Sequence, residues 1–106
     1  MRRFWWLVPA LPITLNSGEA QELSGDPEAG GRLAREVCAA CHVVSDDQMI
    51  DPGIGPWFID VAQHPATTAL SLRAFLQTPH ANMPDLILTR EETDDIIAYI
   101  LTLKDE

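Results

Sequence analysis

The pentapeptide Cys38-Ala39-Ala40-Cys41-His42 constrains this chain more than any other stretch. C-x-x-C-H is the attachment pattern for a c-type haem. Each thiol adds across a vinyl group of the porphyrin, and the histidine offers an imidazole nitrogen to the iron. The spacing has a mechanical basis. Residues at i, i+3 and i+4 share one helical face, so Cys38, Cys41 and His42 can all meet one flat macrocycle. The same C-x-x-C also suits a dithiol redox pair or half of a zinc site. A structural zinc site wants a second ligand cluster. Beyond the motif the chain has no cysteine, and its other histidines are His64 and His80. No βαβ pattern of the thioredoxin kind surrounds the motif.

The amino terminus reads as a secretory signal peptide. Met1-Arg2-Arg3 is basic, Phe4 to Leu15 is apolar, and Gly18-Glu19-Ala20 presents small residues where a signal peptidase reads. Cleavage is expected between Ala20 and Gln21, leaving residues 1–20 as the signal and 21–106 as one small monohaem domain. The alternative is a retained anchor. Against it, the apolar run is short for a bilayer and holds Pro9 and Pro12. Export to the periplasm agrees with the motif, because a reducing cytosol opposes cysteine chemistry.

A domain of this size buries only about 60–65% of its extended surface and needs a staple. With both cysteines committed to a porphyrin, the haem is that staple and the centre of the core. Without Arg2, Arg3 and Glu19 the chain carries 5 basic and 15 acidic residues, a formal net charge of −10. That balance excludes a nucleic-acid footprint and disfavours an anionic membrane surface. It suits either a merely solvated surface or a field that steers the protein to a basic docking face on a partner.

The rest of the pattern is helical. A first helix is expected from Asp26-Pro27, with Asp26 as N-cap and Leu33, Ala34, Val37 and Cys41 on one face. Gly30 and Gly31 inside it suggest a close helix crossing. A middle helix runs from about Thr68 to Thr78, burying Leu72, Phe75 and Leu76. The last helix opens on the capping box Thr89-Arg90-Glu91-Glu92. Its stripe is Ile96, Ile97, Ile100 and Leu103, with Tyr99 beside it and Glu91, Asp94 and Asp95 on a solvated face. Between the first and middle helices, Val43 to Pro65 reads as one long loop wrapped around the haem edge.

A second axial ligand has four candidates: Met49, Met83, His64 and His80. Met49 follows His42 by only seven residues, too few to reach the far face of the ring easily. Met83 lies in the stiff segment Pro79-His80-Ala81-Asn82-Met83-Pro84, and Pro84 biases it away from a helix. Met83 is therefore the favoured ligand. His80 reads as solvent-facing, or as a substitute ligand if Met83 is displaced. His64 reads as exposed or capping, and Asn82 as a loop residue or an orienting group for Met83.

Taken in order, a glycine-containing first helix, Cys38-x-x-Cys41-His42, a Gly55-Pro56 step, and Met83-Pro84 before an aromatic-bearing last helix resemble a class I c-type cytochrome of the small monohaem bacterial kind. The resemblance covers nearly all of residues 21–106. It implies an all-α cytochrome c fold, with three main helices and long loops around one covalent haem c and its iron. It matches Gly30 or Gly31 with Tyr99 at the crossing of first and last helices. It gives Pro56 the role of carbonyl acceptor for the histidine, and places Trp57 and Phe58 along the haem crevice. Trp57 has the alternative of donating its indole N–H to a haem propionate. The cytochromes c-prime are set aside, since their motif lies near the carboxyl end.

The function implied is a soluble, monomeric, periplasmic one-electron carrier rather than an enzyme, with His42 and Met83 on the iron and redox proteins as partners. Other readings stay open. One is a haem protein whose sixth site is open or held by histidine, acting as a sensor or enzyme. Another is the cytochrome subunit of a periplasmic dehydrogenase. A third is a haem-free dithiol oxidoreductase.

Overall fold

A computed structural model describes residues 9–13, 24–78, 83 and 86–105. Among them the regular elements are all helical: α1 (Pro27–Leu33), α2 (Phe58–Gln63), α3 (Ala69–Gln77) and α4 (Arg90–Thr102). A π-helical segment, Ala34–Cys38, continues α1, and a 3₁₀ turn, Leu103–Asp105, closes α4. No described helix is long and apolar enough to cross a membrane.

Each expected helix starts where its cap predicts. The Asp26 carboxylate accepts the Glu28 N–H at 2.9 Å, with Pro27 in the first turn. Thr89 and Glu92 close a reciprocal capping box on α4. Thr68 does the same with Ser71 on α3. Such caps hold the otherwise orphaned first-turn N–H groups, each contributing about 0.5–2 kcal/mol.

The core is the crossing of α1 on α4, extended by α2 and α3. Ile96, Ile97, Ile100 and Leu103 are buried as a stripe. They pack into one cluster with Ala34, Cys38, Val44, Phe58, Ala62 and Leu72. Burying each large aliphatic chain stabilises the fold by roughly 1.5–3 kcal/mol. The crossing is close because α1 offers no side chain there. A Cβ on Gly30 would lie 1.8 Å from the Asp95 carbonyl oxygen and 2.9 Å from Tyr99 Cβ. One on Gly31 would only touch the Tyr99 ring, at 3.1 Å.

Four expectations need correction. The first helix does not stay regular through the motif: the Ala39 N–H reaches back five residues to the Ala34 carbonyl. This wider turn gives the buried positions to Ala34 and Cys38 and rotates Val37 outward, to 37% exposure. The stretch Val43–Pro65 is not all loop, because α2 forms within it once Phe58 is anchored in the core. Phe75 is 47% exposed, so the buried face of α3 narrows to Leu72, with Leu76 half-buried beside it. Asp94 and Asp95 do not simply face solvent. Asp95 accepts the Asp26 N–H at 2.8 Å, while Asp94 pairs with Arg73 and accepts from Ser24. The Arg73 guanidinium holds the Asp94 carboxyl below the usual carboxylate range. These acids tie the start of α1 and one face of α3 to α4.

The crossing generates an ordered pair of effects. Gly30→Ala should destabilise by about 3 kcal/mol or more, because backbone must move. Gly31→Ala should cost less, because an aromatic ring can shift by tenths of an ångström. Urea unfolding of the two variants beside the parent measures that order.

Candidate functional site

The motif leaves the helix at Cys38 and folds back on itself. The Cys41 and His42 N–H groups both bond the Cys38 carbonyl, at 3.0 and 2.9 Å. This tight turn keeps the short-range spacing of the motif although the regular helix has ended. Cys38 is buried, Cys41 and His42 are half-buried, and the two cysteines are free thiols. Burial, assisted by the charge of Cys41, pushes the Cys38 thiol up to about 11. At neutral pH it is a protonated thiol, which is a poor attacking group for disulfide exchange. Among the described residues no three His, Cys, Asp or Glu side chains gather as a metal cage.

The histidine is held from two sides. Its Nδ1 lies 2.7 Å from the Pro56 carbonyl oxygen. A carbonyl only accepts, so Nδ1 carries a proton, and in the neutral ring the lone pair falls to Nε2. Gly55 leaves room for the ring: a Cβ there would fall 2.4–2.8 Å from imidazole atoms. The Phe58 ring packs 5.2 Å away, tilted by 54°.

The carbonyls that run through and past the histidine are engaged. The carbonyls of residues 41 to 44 each take a different donor. Gly55 N–H bonds Cys41 O at 2.7 Å, and Phe58 N–H bonds Val43 O at 2.9 Å. The Gln48 side chain gives one N–H to His42 O at 3.0 Å. The Tyr99 hydroxyl donates to Val44 O. Gln48 also receives the Val44 N–H at 3.0 Å and donates to Ile50 O at 2.9 Å. Three separate stretches of chain thus fix the residues that follow the second cysteine.

The other sequence candidates are placed as follows. Met83 is half-buried, whereas Met49 is 97% exposed. Trp57 is 44% exposed, and its indole N–H is donated to Asp51 at 3.1 Å. His64 is exposed at the end of α2, where its Nδ1 accepts the Ala66 N–H. His80, Asn82, Pro79 and Pro84 lie outside the described residues. The roles of Gln48 and of the Tyr99 hydroxyl escaped sequence reading, which has no signal for a long-range donor. Asp51 was within reach, since Asp-Pro-Gly is a turn signature.

A family model for cytochrome c matches residues 27–104. Cytochrome c-552 of Bradyrhizobium diazoefficiens is 37% identical over 94 residues, covering 89% of this chain and 90% of that protein. The chain belongs to the cytochrome c family. A comparison with solved structures finds no match. Members of the family carry covalent haem c with its iron, and this chain is accordingly a haem c electron carrier that works with redox partners.

The donor set fits that group. Two cysteine side chains and an imidazole whose Nδ1 is bonded to a carbonyl stand on one tight turn. When bound, haem c supplies a one-electron couple between ferric and ferrous iron. What the chain supplies is a fixed ring plane, a fixed tautomer and a carbonyl that makes the imidazole a stronger donor.

Two nearby glycines separate space from backbone strain. Gly55→Ala should destabilise the holoprotein by about 1–3 kcal/mol and shift its midpoint potential, because the new methyl displaces the His42 ring. Gly53 has φ +68° but nothing within 4 Å of its would-be Cβ. Gly53→Ala should cost about 1–2 kcal/mol of left-handed strain and leave the potential alone. Urea unfolding with potentiometry on both variants checks the contrast.

Proposed function

We propose that the chain is a periplasmic one-electron carrier with His42 and Met83 as the axial ligands of one haem c. In this reading Cys38 and Cys41 form the two thioethers. Residues 1–20 are the export signal and residues 21–106 the monohaem domain, working as a free monomer. The observation that carries it is the 2.7 Å bond from His42 Nδ1 to the Pro56 carbonyl. It leaves Nε2 as a lone-pair donor with its ring already oriented.

Met83 is supported as the second ligand by its chemistry and by the exposure of Met49. A thioether is a weak, neutral, polarizable donor, and pairing it with histidine raises the potential relative to harder ligand sets. Met83 is half-buried, as a ligand between prolines requires, and Met49 is turned out to solvent. The net charge supports a partner with a basic docking face. Nothing in such a carrier calls for a substrate pocket or an acid–base pair. Asp51 near the haem-binding turn and Asp94 and Asp95 on α4 already have structural partners.

Optical spectra of the purified protein, oxidised and reduced, test this. A c-type haem spectrum with the far-red methionine-to-ferric-iron band is expected, and Met83→Ala should abolish that band while the haem stays attached. A haem spectrum that never shows the band would transfer the sixth position to histidine or leave it open. Absence of any Soret absorption after expression with haem-attachment machinery would overturn the reading altogether.

A further inference from the structure

We propose that Asp51 is a positioning residue for His42, acting through the turn that carries Gly55 and Pro56; the proposal rests on His42 being an iron ligand. The two oxygens of this one carboxylate hold the two ends of that turn. Asp51 Oδ1 accepts the Gly53 N–H at 2.8 Å, and Oδ2 accepts the Trp57 indole N–H at 3.1 Å. Between those tie points stand Gly55, whose missing side chain makes room for the imidazole, and Pro56, whose carbonyl accepts from Nδ1.

The turn has little else to hold its outer side. Ile50 is 75% exposed, Ile54 is 65% exposed and Trp57 is 44% exposed. Apolar burial therefore does not fix its position, and polar ties do. On the inner side the ties are the Gly55 N–H to Cys41 O and the Phe58 N–H to Val43 O. On the outer side the Gln48 amide holds Ile50 O where the turn begins, and Asp51 holds the turn itself. The Asp51 bonds are made by an ionised acceptor, which strengthens each one. Gly53 supports the same geometry, because its φ of +68° lets the chain reverse immediately after Pro52.

The consequence reaches the metal through one atom. A turn held firmly keeps the Pro56 carbonyl on Nδ1, and that bond raises the basicity of the ring toward ferric iron. Loosening the turn lets the Nδ1–H hydrogen bond pass from the Pro56 carbonyl to water for part of the time. The ring then donates less strongly, the ferric state is less stabilised, and the potential rises.

The test follows the His42 Nδ1 proton in the ferrous holoprotein by NMR, as its exchange with deuterium, alongside the amides of α4. Asp51→Ala removes the carboxylate. Trp57→Phe removes only the indole bond and keeps every charge. Asp47→Asn removes another exposed loop carboxylate, one bonded to Ser45 instead. Asp51→Ala and Trp57→Phe should each speed exchange of the ring proton by about tenfold or more, the scale on which losing a hydrogen bond to a carboxylate shifts a local opening equilibrium. Asp47→Asn should leave it at the parent rate, and the α4 amides should not change in any variant. Trp57→Phe should also raise the midpoint potential although no charge has been removed. Unchanged ring-proton exchange in both Asp51→Ala and Trp57→Phe would overturn the role of Asp51. So would acceleration matched at the α4 amides, since that is general loosening. If the parent protein binds haem but gives no ligated His42 ring-proton signal, the axial reading falls and the role of Asp51 falls with it.

Discussion

The site depends on one hydrogen bond, from the protonated Nδ1 of His42 to the carbonyl of Pro56. It decides which imidazole nitrogen is free, which way the ring faces, and how strongly it donates. Neither partner is positioned by its immediate neighbours alone. The ring needs the space left by Gly55, and the carbonyl needs a turn laid across the haem-binding pentapeptide. That turn in turn leads into α2, whose first residue, Phe58, is buried against the same imidazole.

The larger fold serves this local arrangement. Gly30 lets α1 and α4 cross closely enough for Tyr99 to sit against α1 and still donate to the Val44 carbonyl, two residues past His42. The π turn at Ala34–Cys38 brings the first cysteine onto the buried side just as the helix ends. A chain this small has limited apolar area to bury. It compensates with caps, with acids on α4 that bind the start of α1 and the flank of α3, and with the engaged carbonyls of residues 41 to 44. Such a frame has few ways to relax. For an electron carrier that is an advantage, since a site that moves little between two oxidation states adds little to the barrier for transfer.

Much of this is legible in the sequence because it is local. Asp26-Pro27, Thr89 to Glu92, the pentapeptide and the isoleucine stripe of α4 each declare themselves within a turn or two of helix. Gly30 and Gly31 against Tyr99, and Pro56 against His42, are long-range and were reached only through family resemblance. Other features are long-range and have no such guide. The π turn is set by how α1 meets the core, so the periodicity that placed Val37 inside misjudged it. The α2 helix is too short to show a repeat, and it forms because Phe58 is buried. The binding of Asp94 and Asp95 looks like a solvated acidic face until the start of α1 is laid beside it. The bond from the Trp57 indole to Asp51, an acid six residues earlier, likewise shows only once the turn between them is laid out.

The central claim is that the chain carries single electrons at an iron whose two axial positions are both filled by the protein. Exposure of the reduced holoprotein to carbon monoxide, followed by optical titration, tests that claim most directly. The account predicts no carbon monoxide complex at neutral pH in the folded protein, together with a reversible one-electron redox titration free of spectral intermediates. Ready formation of a carbon monoxide complex would contradict it, because the sixth position would then be available for ligand binding or catalysis.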